Sequence, residues 1–240
     1  MTPPAVASTA PSRRASRRSA PIVRTSSAEQ VALYIRRLIF DGDLLPGTRV
    51  PQDVIAQELG VSRIPVREAL IALEREGWVT IELHRGVFVN ALDERTIHDH
   101  YELFGMVYGF AAQRAVARSG AELAERLAPI QREFEKAKDP QLLEDLSIAF
   151  HRTIVEAAAS PRIKVVLRAI STLVPGNFFE LVPGAVDIEK AGIRAVLRSV
   201  GREDGAKAAA DYARMMRRIG DQVARMFMVR GLLGQEEAAT

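Results

Sequence analysis

The sequence predicts a mainly α-helical protein, with a winged helix-turn-helix near the N-terminus and an all-α helical bundle behind it. Apolar residues recur at helical spacing from Ala28 to Gly77, and again over nearly all of the chain after Asn90. Between these two regions, short apolar segments flank a glycine-containing turn, which is typical of a β-hairpin. The order of the predicted elements, in which helices are followed by one hairpin and then by helices alone, indicates this fold class.

The composition restricts the classes of function that the chain can have. Its 240 residues suit one large domain or two small ones, and 48% hydrophobic and 26% charged residues are ordinary for a globular protein. The chain has no cysteine, which excludes disulfides, thiolate metal sites and cysteine nucleophiles. No apolar run approaches the ~18 residues of a membrane-spanning helix. We therefore expect a cytoplasmic protein without a membrane partner.

Residues 1–26 predict a disordered basic tail. They are rich in proline, alanine, serine, threonine and arginine, and no apolar block follows the arginines as it would in a secretory signal. Five arginines precede the first acidic residue, Glu29. Two interpretations stay open: the arginines add contacts to nucleic-acid phosphates, or they belong to a solvated tail without a partner.

Residues 27–91 predict three helices and a hairpin. The first helix runs from Ala28 to Gly42 and carries an apolar stripe on one face. A Leu-Pro-Gly turn separates it from a second, short helix, which runs from Pro51 to Gly60. A glycine closes each of these two helices, Gly42 the first and Gly60 the second.

The third helix and the hairpin follow directly. Ser62 is expected at the N-cap of this helix, Pro65 suits its first turn, and Gly77 suits the position after its end. Trp78–Ile81 and Val87–Val89 are rich in β-branched and aromatic residues, which predicts the two strands of a hairpin.

After Asn90 the pattern is helical to near the end of the chain. We place helices near residues 93–118, 121–138, 140–158, 161–174, 187–200 and 203–230, with breaks cued by glycine and proline. The domain boundary falls at about residue 91, so that residues 92–231 form an all-helical domain. Residues 232–240 are expected to form a flexible C-terminal tail.

The third helix and the hairpin turn together predict a nucleic-acid interface. The second helix of a helix-turn-helix enters the major groove, where its first residues face the base edges. Arg63 and Arg67 share one helix face, and an arginine fork can bond a guanine or clamp a phosphate. The candidate contact residues are Ser62, Arg63, Ile64, Pro65 and Arg67 in the helix, and His84, Arg85 and Gly86 in the wing turn. The plainer alternative is a surface arginine pair beside an incidental hairpin.

Four segments resemble the signature of the GntR family of bacterial regulators. They are Leu45–Val50, Ala56–Leu70, Leu73–Gly77 and Arg85–Val89, which agree with it in order and spacing within residues 28–90. The resemblance implies that Arg63 and Arg67 read bases, while Ser62, Pro65 and Gly86 contact the DNA backbone. A homodimer would place one such helix in each half-site of a roughly palindromic, double-stranded DNA operator.

The helical domain resembles the FCD-type ligand-binding and dimerisation domain of the FadR-like branch of this family. The resemblance rests on helix count and length, on the Ala-Phe-His-Arg segment at 149–152 and on the long final helix. Many relatives hold a divalent metal there with one aspartate and three histidines, and the metal holds a small carboxylate. The matching positions in this chain are Ser147, His151, Ile193 and Met215, so that one of the four ligands remains. The sequence therefore predicts no metal and no other cofactor.

Two further positions change the character of the predicted pocket. Relatives usually carry an arginine and a glutamate where this chain has Phe104 and Tyr108. The candidate effector-pocket residues are Phe104, Tyr108, Ser147, His151, Ile193 and Met215. They predict a slot for a larger, hydrophobic effector. Two alternatives stay open: these side chains simply fill the cavity, or other residues assemble a metal site.

These patterns predict a sequence-specific DNA-binding transcription regulator, with repression as the commoner outcome, whose operator affinity responds to a small effector bound without metal. An enzyme is not expected, because the chain lacks a phosphate-binding glycine loop, a His-Glu-x-x-His motif and a Gly-x-Ser-x-Gly elbow. Two alternatives stay open. One is a DNA-binding protein without an effector, and the other is a helical enzyme or carrier of hydrophobic ligands with an appended DNA-binding domain.

Overall fold

The structure is a computed structural model that describes residues 26–170 and 173–233. The expected basic tail lies outside the described residues except at Ser26, and the expected C-terminal tail lies outside them from residue 234 onward. Ser26 caps the first helix: its hydroxyl accepts from the Glu29 backbone, and the Glu29 carboxylate accepts from the Ser26 backbone. This reciprocal capping box sets where the first helix begins.

The N-terminal unit forms the predicted winged helix-turn-helix. Its elements are α1 (Ser27–Phe40), α2 (Gln52–Glu58), α3 (Arg63–Arg75), β1 (Val79–Glu82) and β2 (Gly86–Val89). The two strands pair antiparallel, in register from Val79 opposite Val89 to Glu82 opposite Gly86.

A buried apolar layer joins α1, α3 and the hairpin. Val31 and Ile35 of α1 and Leu70 and Leu73 of α3 are almost inaccessible to solvent, and Trp78 closes the layer beside them. Their spacings are the i, i+4 and i, i+3 steps of helical stripes. Burial of each such side chain contributes about 1.5–3 kcal/mol, which fixes α3 against α1.

The C-terminal unit is all-helical, as predicted. Its helices are α4 (Glu94–Lys136), α5 (Pro140–Ala157), α6 (Pro161–Ala169), α7 (Phe178–Leu181), α8 (Ala185–Gly201) and α9 (Gly205–Val229). α4 lies at the centre and packs against α5, α8 and α9. Among the described helices, none combines the length and the apolar composition that crossing a bilayer requires.

α4 joins two segments that the sequence predicts as separate helices. The break that Gly120 cues lies at Ser119, where φ is −162° and ψ is 49°, far from helical values. Helical geometry resumes directly afterwards and continues to Lys136. The prediction of a break was therefore right to within one residue, and the two segments form one kinked helix.

The predicted helix over residues 161–174 ends early. α6 stops at Ala169, because Ile170 has the extended angles φ −89° and ψ 94°, and Val174 is buried in the irregular segment that follows. The one-turn helix α7 was not predicted, and the Asn177 side chain caps it. An element of four residues is too short to show a helical period.

Two glycines allow α4 and α9 to cross in close contact. A Cβ atom on Gly105 would lie 3.0 Å from Ala213 Cα, and one on Gly109 would lie 3.0 Å from Ala209 O. Because the partner residues are alanines, small side chains on both helices bring the two backbones together.

The end of α9 contacts the N-terminal unit. The rings of Phe40 in α1 and Phe227 in α9 meet edge-on with 5.7 Å between centroids, and the Arg230 guanidinium lies 4.3 Å from the Phe40 centroid. Leu232 is buried, and its N–H donates to Phe227 O. The flexible tail predicted from residue 232 is therefore wrong at Leu232, which apolar burial and this hydrogen bond fix in place.

We expect Gly109→Ala to lower the free energy of unfolding by about 1–3 kcal/mol, because the new methyl group meets the Ala209 backbone. Urea unfolding followed by circular dichroism measures the change. Gly201→Ala is the control: its Cβ would lie 3.9 Å from Ala124 Cβ, and alanine is the better helix former. Equal destabilisation by both substitutions would contradict the close crossing.

Candidate nucleic-acid interface and effector cavity

The exposed start of α3 carries the predicted reading residues. Ile64 exposes 68% of its surface, and Arg63 and Arg67 are exposed as well. Val66 and Leu70, on the opposite side of the helix, are buried and hold it in the core. The arginines therefore project from one outward face of a fixed helix, which is the geometry for entering a major groove.

Ser62 occupies the N-cap position of α3, with φ −74° and ψ 171°. The prediction of Ser62 as the N-cap residue is confirmed, although its hydroxyl makes no hydrogen bond to the helix backbone. Pro65 lies in the first turn, where the missing N–H costs no helical hydrogen bond. The exposed Ser62 hydroxyl is thus available to an anionic oxygen outside the protein.

A polar groove of about 420 Å³ opens beside α3. Its lining residues are Arg49, Val50, Pro51, Gln52, Asp53, Val54, Arg63 and Arg67. Arg63 Nε lies 2.8 Å from Asp53 Oδ1, and these two side chains are 69% and 70% exposed. An ion pair this exposed contributes about 0–1 kcal/mol, so that a competing phosphate or base can displace Asp53 at little cost.

The wing turn presents a second set of exposed side chains. His84 adopts a left-handed backbone with φ 64°, and both His84 and Arg85 are exposed. The Arg85 guanidinium pairs with Glu82 Oε2 at 2.5 Å and lies 5.8 Å from the centroid of the Phe88 ring. These contacts direct the Arg85 side chain along the wing.

Gly86 makes room for a side chain of the protein itself. Its φ is 125°, and a Cβ atom there would lie 2.5 Å from Arg49 Nε. The sequence suggested that Gly86 leaves this space open for a DNA backbone. In this structure the Arg49 guanidinium occupies the space in the direction of the absent side chain.

Arg49 is the interface residue that sequence reasoning missed. Backbone hydrogen bonds to β2 on both sides of Arg49 fix it against the wing, and it lines the same groove as Arg63 and Arg67. Its local signal was an arginine after a Pro-Gly-Thr turn, inside the Leu45–Val50 segment that resembles the family signature. Its approach to α3 depends on pairing with a strand far along the chain, which no local pattern shows.

A second cavity, of about 210 Å³, lies in the helical domain between α4, α5, α7, α8 and α9. Its lining residues are His100, Tyr101, Phe104, Tyr108, Glu144, Ser147, Ile148, His151, Phe178, Phe179, Glu189, Met216 and Ile219. Four of the predicted pocket residues are among them, namely Phe104, Tyr108, Ser147 and His151. The structure thus brings these four together around one space.

Ile193 and Met215 do not line this cavity, so their prediction as pocket residues is wrong. They are 1% and 2% exposed and belong to the packed core. Met215 fills the space beside Gly192, where a Cβ would lie 2.1 Å from Met215 Sδ. The α9 wall of the cavity comes instead from Met216 and Ile219. One residue changes the direction of a helical side chain by about 100°.

A buried carboxylate, Glu189, connects the polar residues of the cavity. It is 3% exposed, its Oε1 accepts from the Ser147 hydroxyl at 2.9 Å, and it lies 2.8 Å from His151 Nε2. The Tyr212 hydroxyl lies 3.0 Å from His151 Nδ1. Sequence reasoning missed Glu189, whose signal was an acidic residue one helical turn before the apolar Ile193.

The network determines the tautomer of His151. An ionised Glu189 carboxylate can only accept, so His151 Nε2 carries the hydrogen and donates it. In its neutral form the imidazole then accepts at Nδ1 from the Tyr212 hydroxyl, whereas a protonated ring would donate to the hydroxyl oxygen. Burial raises the pKa of Tyr212 well above its ordinary value, which keeps this hydroxyl protonated.

Aromatic rings form one wall of the cavity. The Tyr108 ring stacks on Phe104 and on Tyr212, with centroid distances of 5.9 Å and 5.5 Å and interplanar angles of 16° and 12°. Burial raises the pKa of Tyr108 to about 12 and lowers the pKa of His100 to about 4. Both side chains are therefore neutral at neutral pH.

The residues around His151 do not fit the metal site that the family resemblance implies. Ser147, Ile193 and Met215 supply neither carboxylate nor imidazole, and His151 Nε2 is already bonded to Glu189. Within residues 26–170 and 173–233, no group of three or more histidine, aspartate or glutamate side chains is placed to hold a metal ion. One imidazole and one carboxylate that bind each other leave too few ligands for a divalent cation.

Two protein-family models match the chain. The model of bacterial regulatory proteins of the gntR family matches residues 27–89, and the FCD domain model matches residues 99–218. The first range includes every candidate DNA contact. The second includes all the residues that line the helical cavity except Ile219.

Curated relatives are named as transcription regulators. An uncharacterised HTH-type transcriptional regulator of Mycobacterium tuberculosis is 35% identical over 151 residues, which are 63% of this chain and 62% of the relative. The gluconate operon transcriptional repressor of Bacillus subtilis is 31% identical over 137 residues, 56% of each chain. The chain thus spans less than two thirds of the length of these relatives.

Solved structures share the fold. McbR/YncC of E. coli superposes with a TM-score of 0.56 at 21% identity, over 86% of this chain and 99% of that one. Lar, which controls the expression of the Listeria monocytogenes agr system, superposes with a TM-score of 0.52 at 18% identity, over 84% and 98%. At these identities the similarity establishes the fold alone.

We expect Glu189→Ala to lower the free energy of unfolding by about 1–3 kcal/mol, because it leaves the partly buried Ser147 and His151 without their hydrogen-bond acceptor. Asp187→Ala, an exposed position in the same helix, is the control and should cost at most about 1 kcal/mol. Urea denaturation of both variants measures the difference. Similar losses in the two variants would show that Glu189 has no special role in the core.

Proposed function

This chain belongs to the GntR family of bacterial regulatory proteins and carries an FCD domain, and we propose that it is a DNA-binding transcription regulator controlled by a small effector. The observation that carries the proposal is a set of three arginines around one groove, two of them at the start of α3. Arg49, Arg63 and Arg67 surround one groove beside the wing. Guanine edges and phosphate oxygens are the acceptors that arginine forks bind.

In the proposed complex, α3 lies in the major groove and the wing lies along the backbone. Arg63 exchanges its exposed pairing with Asp53 for a base edge, and Arg67 reads from the same helix face. Arg49, between α3 and the wing, adds a phosphate contact. Ile64 faces the base edges beside these arginines, and the remaining proposed contacts to the sugar-phosphate backbone come from Ser62, Pro65, His84, Arg85 and Gly86.

A second copy of the chain is the proposed partner. Leu103, Met106 and Phe110 follow one stripe of α4 at i, i+3 and i+7, and expose 47%, 60% and 48% of their surfaces. A contiguous stripe of large apolar side chains marks an interaction surface. Pairing this stripe with its counterpart gives a two-fold dimer, which presents two α3 helices to a roughly palindromic operator.

The proposed effector occupies the 210 Å³ cavity without a metal. α9 lines this cavity through Met216 and Ile219, and the same helix contacts Phe40 of α1 through Phe227. An occupant that shifts α9 would therefore shift the DNA-binding unit, which couples the two sites. We propose repression as the outcome, in line with the relatives that are named as operon repressors.

Arg63→Ala is expected to weaken binding to a specific operator by about 1–3 kcal/mol, because it removes a base contact. The operator is first selected from random duplexes, and fluorescence anisotropy at fixed salt then measures affinity for it and for an unrelated duplex. Arg75→Ala, at the exposed far end of α3, removes the same charge and is the control. An unchanged preference for the operator in Arg63→Ala would refute the assignment of α3 as the reading helix.

Phe110→Glu is expected to turn a dimer into a monomer, because it places a charge within the proposed apolar interface. Size-exclusion chromatography with light scattering gives the mass of each variant. Leu142→Glu changes a side chain that is 40% exposed on α5, outside the stripe, and should leave the mass unchanged. A dimer that persists in Phe110→Glu would place the interface elsewhere.

A further inference from the structure

Aromatic side chains line much of the cavity in the helical domain. His100, Phe104, Tyr108, Phe178 and Phe179 all line it. The face of an aromatic ring carries negative partial charge and attracts a cation. Among the described residues that line the cavity, none is a lysine or an arginine. An anion would therefore lack a partner there.

The ionisable groups that line the cavity are two carboxylates and two imidazoles, besides the tyrosines. Glu144 and Glu189 line it together with His100 and His151. His100 is neutral at neutral pH, because burial lowers its pKa to about 4. A protonated His151 would neutralise only Glu189, to which it is bonded. Neither imidazole of the cavity is bonded to Glu144.

Glu144 is a carboxylate without a cationic partner. Within the described part of the chain, no lysine, arginine or histidine nitrogen lies within ion-pairing distance of it, and burial raises its pKa. His100 Nε2, in the same cavity, is buried and makes no hydrogen bond to a described residue. Both groups can accept a hydrogen bond from the N–H of a ligand. The carboxylate accepts through its oxygens, and a neutral imidazole accepts at Nε2 in the tautomer that carries its hydrogen on Nδ1.

The size of the cavity limits the apolar part of the ligand. An apolar cavity of about 150 Å³ is large enough to bind benzene. The cavity of about 210 Å³ here therefore accommodates one ring with a short side chain. Met216, Ile219 and Ile148 provide apolar contacts for such a body.

We propose that this cavity binds a small organic cation, an amine carried on an apolar body the size of one ring, and that this cation is the effector. The ammonium group pairs with Glu144 and faces the rings of Phe104 and Tyr108, while the apolar body packs on Met216. The inference rests on the proposed function in one respect, since it takes this cavity as the effector site.

A neighbouring groove of about 400 Å³ has the opposite charge. Arg152, Lys164 and Arg168 line it on the other side of His151, and Glu156 offsets part of their charge. This groove suits an anion, whereas the aromatic cavity suits a cation. A panel of probes that differ only in charge therefore distinguishes the two sites.

Isothermal titration calorimetry of the whole chain at neutral pH provides the test. The probes are 2-phenylethylammonium, 2-phenylethanol and phenylacetate, which share one ring, and benzyltrimethylammonium as a second cation. We expect 2-phenylethylammonium to bind at least about tenfold more tightly than the alcohol, whereas binding of phenylacetate reports on the neighbouring groove that Arg152 and Lys164 line. Binding of 2-phenylethanol as tight as that of 2-phenylethylammonium, or failure of both cations to bind, overturns the proposal.

Two variants locate the cation within the molecule. Glu144→Gln keeps the size of the side chain and removes its charge, and is expected to weaken 2-phenylethylammonium binding by about tenfold or more while leaving 2-phenylethanol unchanged. Asp145→Asn removes the exposed neighbouring carboxylate and is the matched control. Circular dichroism melting shows that both variants fold. Equal effects of the two substitutions, or none in Glu144→Gln, overturn the assignment of Glu144.

Operator affinity is measured in parallel, so that the two proposals fail separately. A cation that alters operator affinity of the unmodified chain, but not of Glu144→Gln at the same concentration, supports both. Cation binding by a chain that selects no DNA sequence would sink the proposed function and leave the cation site standing. Specific operator binding without any cation binding would overturn the cation site and leave the proposed DNA-binding function standing.

Discussion

The close crossing of α4 and α9 is the constraint on which the helical domain depends. Gly105 and Gly109 carry no side chain where the two helices touch, so that their backbones meet at contact distance. Tyr108, which lies between these two glycines in the sequence, has a large side chain. Its ring stacks on the Tyr212 ring of α9 with 5.5 Å between centroids. A wider separation of the helices would unstack these rings. The aromatic wall of the cavity is therefore a consequence of the crossing.

The buried polar network at this wall is explained better by ligand binding than by folding. Taking an ionised carboxylate such as Glu189 out of water costs several kcal/mol, and hydrogen bonds from Ser147 and His151 offset that cost. Apolar side chains of similar volume usually give a core of equal or greater stability. A polar network beside an open cavity, with the Glu144 carboxylate nearby and no cation of the described residues bonded to it, instead provides groups that a charged occupant requires.

The sequence predicted the fold better than the site, because element type is a local property and wall geometry is not. The start of α3 and the wing followed from caps, glycines and period-2 or helical spacing, and the structure places them as expected. The sequence predicted Met215 as the residue of α9 that lines the cavity, whereas Met216 lines it. Which of these two adjacent methionines faces the cavity depends on Gly192 of another helix, because Met215 fills the space beside that glycine. Glu189 and Arg49 join their sites only through tertiary contacts, so that residue type and spacing alone did not identify them.

The position of α9 explains how a cavity that never touches DNA would control a DNA-binding surface. Ile219 lines the cavity, and Phe227, about 12 Å further along the same helix, packs on Phe40 at the end of α1. α1 in turn supplies Ile35 to the core that holds α3. A continuous helix transmits a displacement over this distance with little loss, whereas a loop would absorb it. By linkage, an operator that fixes α3 would change the affinity of the cavity by the same factor as the effector changes the affinity for the operator.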